Sequence, residues 1–163
     1  MPSAPAPQRP LYTAEERARR DATRWTLVQG VLAPAQFAVF LVSLALVLRA
    51  LVAGEGHAAA AASVCVKTAV LLAIMVTGSI WEKKVFGRWL FAPAFFWEDV
   101  VSMGVIALHL LYVWALLTGA LAPDAALVLA LAAYAAYVVN AGQFLWKLRM
   151  ARLGAPGPAG VPA

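Results

Sequence analysis

The sequence predicts an all-α integral membrane protein: four transmembrane helices in a bundle, with both ends on the cytoplasmic side. Of its 163 residues, 63% are hydrophobic and only 13% charged, whereas a water-soluble domain sits nearer ~45–50% and ~25%. So short a chain has too little interior to hide that much apolar surface from water. The apolar residues gather into four runs of roughly 20, the length needed to cross a ~30 Å hydrocarbon layer as helix. The basic residues alternate between connections. Arg9, Arg17, Arg19, Arg20 and Arg24 precede the first run, Lys83, Lys84 and Arg88 follow the second, and Lys147, Arg149 and Arg152 follow the last. The other two connections offer Arg49 and nothing, which is the positive-inside pattern. That distribution explains the net charge of +5 without nucleic-acid binding, which is excluded as a function class.

A single membrane domain is expected over residues 11–153, between Pro/Ala-rich tails at 1–10 and 154–163 that are expected to be disordered. Thr13 and Glu16 have capping-box spacing, so a short basic helix through EERARRDATRW is expected at the membrane surface, with Trp25 at the interface. These first residues lack the apolar core of a cleavable signal, so the first span is expected to act as its own insertion signal. The spans are predicted at about 27–48, 60–80, 98–117 and 125–145. Pro34 should kink the first by removing a backbone donor. Turns are expected around Gly54–His57 and Pro123–Asp124, and an interfacial segment over Trp81–Trp97 between spans two and three. Cys65 is the only cysteine, which rules out an intrachain disulfide and a multi-cysteine metal site.

Polar residues in lipid are costly and informative. Glu98, Ser102, Val105 and His109 recur along one face of span three. Lys67, Leu71, Met75, Gly78 and Glu82 do so on span two, and Tyr137, Asn140 and Phe144 on span four. If these faces meet, they enclose a polar slot open toward the cytoplasm, with His109 nearest its floor. Plainer roles compete. Glu98 and Asp99 open a helix, where carboxylates cap free N–H groups; Glu82 beside Lys83 suits an interfacial charge; Lys67 is expected rather to snorkel outward. Asn140 and the glutamines suit interhelical hydrogen bonds, and His57 has no evident task.

The stretch between spans two and three carries Trp81, Phe86, Trp89, Phe91, Phe95, Phe96 and Trp97. It is too apolar for an ordinary cytoplasmic loop. It serves either as an interfacial anchor or as a flat surface for a large planar lipophilic molecule beside two carboxylates.

The stretches LYTAEERARRDATRWTLVQGVLAPAQF, FLVSLALVLR, VTGSIWEKKVFG and above all LFAPAFFWEDVVSM, followed by ALH, resemble the 2-vinyl bacteriochlorophyllide hydratase family over roughly residues 11–153. The resemblance implies a hydro-lyase of bacteriochlorophyll synthesis in a bacterial inner or photosynthetic membrane. It would add water across the C3-vinyl group of a chlorophyllide or bacteriochlorophyllide to give a 3-(1-hydroxyethyl) group. The implied partners are a Mg-tetrapyrrole, water, membrane lipid and neighbouring enzymes of the pathway. No cofactor and no protein-bound metal are expected, since the Mg arrives with the substrate.

Site roles follow from the chemistry. A general acid protonates the terminal vinyl carbon, positive charge spreads from the inner carbon into the ring, and activated water attacks there. Glu98 is the expected acid, with Asp99 or Glu82 as cation stabiliser or water base, and His109 as a ligand to the central Mg or a second proton relay. Trp81, Phe91, Phe95, Phe96 and Trp97 are expected to receive the ring, joined by Asn140, with Lys83 and Arg88 at the basic rim for its propionate. The rival reading is a non-catalytic pigment carrier or assembly factor using the same surface. A small multidrug transporter would need an acidic residue in span one, which has none, and a bis-histidine haem protein would need a second intramembrane histidine.

Overall fold

A computed structural model of the chain describes residues 10–153, so the tails expected to be disordered lie, apart from Pro10, outside the described residues. Among the described residues five helices follow in order: α1 Ala14–Ala22, α2 Arg24–Ala53, α3 His57–Phe86, α4 Phe96–Thr118 and α5 Pro123–Leu153. The last four are long and apolar enough to cross a membrane. The four-span, all-helical reading therefore holds, and the chain is a multi-pass membrane protein. An even number of spans puts both of its ends on one side.

The capping box forms as expected. Thr13 Oγ1 accepts from the Glu16 N–H at 3.2 Å, and Glu16 Oε2 accepts from the Thr13 N–H at 2.8 Å. The surface helix is shorter than predicted, however, because Thr23 adopts extended backbone and closes α1. The same hydroxyl accepts from the Trp25 N–H, so one threonine ends α1 and opens α2. The second helix continues unbroken through Pro34.

Two boundaries also differ. The helix of span two does not stop at Ile80 but carries Trp81, Glu82, Lys83 and Lys84 as far as Phe86. Nothing in WEKKVF opposes helix; Gly87, left-handed at φ 78°, supplies the stop. The link to α4 is thus residues 87–95. At the opposite end Pro123 belongs to α5 as its first residue, where its missing N–H costs nothing. His57 turns out to be engaged: its Nε2 lies 2.7 Å from Asp124 Oδ1, joining the start of α3 to the start of α5.

The helices pack as two hairpins, α2 with α3 and α4 with α5, which meet across a less intimate seam. Phe40, Val47, Val64, Leu71, Tyr112, Leu127, Tyr134 and their neighbours fill the main core. With lipid as apolar as leucine, polar contacts also hold the helices in register. Gln29 Nε2 donates to Thr77 Oγ1 at 2.8 Å, within the first hairpin. Ser43 Oγ bonds Ser63 Oγ (2.7 Å) within that hairpin and the Tyr134 hydroxyl (2.5 Å) across the seam.

A second, smaller core lies where α1 meets the end of α3. Tyr12 stacks on Phe86 with ring centroids 5.8 Å apart and also packs on Phe95. Arg20 covers its ring at 4.9 Å. Burial pushes the Tyr12 phenol above its ordinary pKa, with Arg20 opposing. Tyr12 thereby pins the amphipathic α1 to the bundle.

Two expectations follow. Tyr12→Ala should lower stability by on the order of 2–4 kcal/mol through the cavity it leaves, while Tyr12→Phe keeps the stack and stays within about 1 kcal/mol; thermal unfolding in detergent reads both. In a Cys65→Ser background, a membrane-impermeant maleimide applied from the periplasm should label Glu55→Cys but not Arg88→Cys. The reverse labelling would invert the orientation read from the charges.

Candidate functional site

The helix ends that carry Glu82 and Asp99 flank residues 87–95, and both side chains turn inward beneath that link. Asp99 Oδ2 accepts from the Phe91 N–H at 2.8 Å, and Glu82 Oε2 accepts from the Ala92 N–H at 3.1 Å. The two carboxyl groups also lie within hydrogen-bonding reach of each other. Both residues are buried. Loop N–H groups in an apolar setting need acceptors, because leaving one unmade costs more than a typical bond contributes. The carboxyls supply them, and in doing so hold Phe91 at φ 57°, a left-handed conformation rare for an aromatic residue.

Glu98, one residue earlier on α4, faces a different partner. Lys147 Nζ from α5 donates to its carboxylate and to the Ala94 carbonyl, the latter at 2.5 Å. Asn140 Nδ2 donates to the Glu98 carbonyl at 2.9 Å, and its Oδ1 accepts from Ser102 Oγ at 3.0 Å. Neither carboxylate is used to cap its own helix, for the N-cap position of α4 is Phe95 and makes no side-chain cap bond. The capping alternative is thereby corrected: both side chains reach across to other segments.

In the sequence Lys147 stands out only as part of the positive-inside pattern. Yet Tyr137, Asn140, Phe144 and Lys147 follow one helical face, and extending the face of span four by one more turn would have reached it.

The aromatic residues divide into two sets. Phe95 is 3% exposed and packs on Tyr12, Trp81, Phe86 and Phe144; Trp81 also donates from Nε1 to Thr26 Oγ1 at 3.0 Å. These rings belong to the second core. Trp89, Phe91, Phe96 and Trp97 face outward, Trp97 being 68% exposed. Phe96 packs on both Phe91 and Trp97. Of the rim cations, Lys83 Nζ donates to the Gly87 carbonyl at 2.9 Å, and Arg88 is exposed. The outward aromatic surface thus lies directly over the buried carboxyls, since Phe91 belongs to it and also binds Asp99.

His109 stands eleven residues beyond Glu98, about 16 Å along α4 at ~1.5 Å per residue. It is 0% exposed. Its Nδ1 lies 2.8 Å from the Val105 carbonyl, so Nδ1 carries the hydrogen, because a carbonyl only accepts. Nearby, Lys67 corrects the expectation of snorkelling: it too is 0% exposed, its Nζ lying 3.8 Å from the Tyr137 ring centroid in cation–π geometry. The structure therefore has two polar regions, a carboxyl cluster at the helix ends and a histidine–lysine layer deep in the bundle, rather than one continuous slot.

The model of the family 2-vinyl bacteriochlorophyllide hydratase (BCHF) matches residues 12–150. A 2-vinyl bacteriochlorophyllide hydratase of Cereibacter sphaeroides is 69% identical over 154 residues, covering 94% of this chain and 96% of the relative. One of Rhodobacter capsulatus is 65% identical over 158 residues, covering 95% and 91%. No solved structure matches. Matched along nearly its whole length, the chain belongs to the 2-vinyl bacteriochlorophyllide hydratase family.

Proposed function

We infer that this protein is a hydro-lyase that adds water to the C3-vinyl group of a bacteriochlorophyllide or chlorophyllide, in the membrane where the pigment is made. The observation that carries this reading is the near full-length identity to two relatives bearing that name. The site supports it with an exposed aromatic surface over a buried pair of neighbouring carboxyls.

Two carboxyl groups in hydrogen-bonding contact need one proton between them, since a carboxylate has no hydrogen to donate. The Glu82–Asp99 pair is therefore the proton source in this mechanism. Glu98, the acid expected from the sequence, is engaged by Lys147 and serves instead to position α5 against the loop. The tetrapyrrole lies on Phe91, Phe96 and Trp97 with its vinyl group turned to the pair, and Lys83 and Arg88 are at hand for its propionate. The shared proton passes to the terminal vinyl carbon. Positive charge at the inner carbon spreads into the macrocycle beside the carboxylate left behind, which stabilises it. Water bonds to the inner carbon, and its released proton returns to the pair. One molecule of water is added, and the pair ends as it began.

For the ring to present its vinyl group, the Phe91–Ala92 backbone must shift from the carboxyls. The left-handed strain at Phe91 favours that release, because such a conformation costs of order 1–3 kcal/mol.

Membranes containing the protein should convert the 3-vinyl pigment to its 3-(1-hydroxyethyl) product, read by chromatography and mass spectrometry. Pigment that binds but never gains water would instead establish a carrier. Glu82→Gln and Asp99→Asn should each slow turnover by ~10²–10⁴-fold with pigment binding retained, whereas Phe96→Ala and Trp97→Ala should raise KM more than they lower kcat. Full activity in both carboxyl variants would remove the pair from the mechanism.

A further inference from the structure

The histidine–lysine layer is left unused by that mechanism. Three of its polar atoms, Lys67 Nζ, His109 Nε2 and Gln36 Oε1, are buried and have no hydrogen-bond partner among the described residues. Their residues are 0%, 0% and 3% exposed. They come from α3, α4 and α2, and α5 adds Tyr137. Lys67 Nζ lies on the face of that ring, Phe40, one turn from Gln36 on α2, packs on it with ring centroids 5.0 Å apart, and the His109 ring packs on Tyr134, one turn earlier on α5, at 5.8 Å. All four helices thus contribute, and the atoms line both sides of the seam between the hairpins.

Their chemistry is mixed. With its hydrogen on Nδ1, His109 in the neutral form presents a bare lone pair at Nε2, and Gln36 Oε1 is an acceptor as well. Lys67 Nζ is a donor. An anion satisfies Lys67 but not the two acceptors, and a metal ion is repelled by Lys67. Water has two donors and two lone pairs and satisfies both kinds. Buried waters typically take about three such bonds to otherwise unsatisfied groups.

We propose that Lys67, His109 and Gln36 form an internal water site in the middle of the bundle, bridging the α2–α3 hairpin to the α4–α5 hairpin across the seam. The bridge sets the spacing of α3 against α4, and with it the approach of Glu82 to Asp99 at the helix ends. Lys67, His109 and Gln36 are positioning residues on this account: His109 stands about 15 Å from Asp99 along α4, and Lys67 about 22 Å from Glu82 along α3. Their influence on turnover rests on the function proposed above; the water site itself does not.

The test uses the pigment-free, full-length protein in lipid nanodiscs. A high-resolution experimental structure should show solvent density within hydrogen-bond distance of Lys67 Nζ and His109 Nε2. Infrared difference spectra should show a water O–H band that shifts in H₂¹⁸O. The band should vanish in His109→Phe and persist in His109→Gln, whose amide oxygen restores an acceptor. Lys67→Met should lower kcat by roughly tenfold, the size expected for one lost bond to a charged group, with KM for the pigment unchanged. A site that is dry, or in which Lys67 Nζ bonds a protein group or a lipid, overturns the proposal. So does density that arises only when pigment is added, which would make the layer part of the substrate site. Should the variants not fold, the wild-type density and isotope shift decide alone. Because these are read without substrate, a negative result there leaves the Glu82–Asp99 mechanism standing, and inactive carboxyl variants leave the water site standing.

Discussion

Two backbone N–H groups in a short apolar link must find acceptors where water is scarce, and the architecture of the bundle end formed by residues 82–99 turns on how they do so. Glu82 and Asp99 reach them from opposite sides of the link. Once those bonds form, the carboxyls are held side by side on consecutive N–H groups, Phe91 is held left-handed, and Phe95 is directed into the small core with Tyr12, Trp81, Phe86 and Phe144. The outward rings are those left over. A backbone demand of this kind creates both the buried carboxyl pair and the surface above it, so in the proposed mechanism binding and chemistry share one cause. The same pairing explains why α3 extends past its apolar stretch: a helix that ended at Ile80 would not carry Glu82 to the loop.

Lys147 closes this end from the third side. By donating to Ala94 and Glu98 together, it ties α5 to both the link and the start of α4. A buried carboxylate left without its cation is strongly destabilising, so Glu98 and Lys147 are to be regarded as one unit. That gives the two adjacent acids on α4 different work. Asp99 faces the loop and Glu82, while Glu98 faces α5.

Deeper in the bundle the physics changes. Each hairpin is packed closely and carries a few polar ties of its own, Gln29–Thr77 and Ser102–Asn140 among them, but the seam between hairpins gathers Ser43, Lys67, His109, Tyr134 and Tyr137. Ser43, Ser63 and Tyr134 satisfy one another. The Lys67–His109 layer does not satisfy itself from protein atoms among the described residues. Glu82 on α3 and Asp99 on α4 likewise stand on either side of that seam.

Much of this was legible in the sequence by itself. Hydrophobic run length and the asymmetry of Lys and Arg gave four spans and their expected sense, because the bilayer imposes thickness and charge sign on any chain that crosses it. Spacing of Thr13 from Glu16 gave the capping box, since that motif is wholly local. The polar faces of the spans were recognisable from helical period, so Glu82, Glu98, Asp99, Asn140 and His109 could be singled out. Which of them touch was settled only by tertiary structure. Period says that side chains share a face, but not which neighbour the face meets or at what height. Hence the single slot became two separate regions, the row of aromatics became a core and a surface, Lys67 turned inward, and Lys147 gained a partner. Each outcome depends on contacts between residues distant in the chain, and those arise only when the two hairpins are packed together.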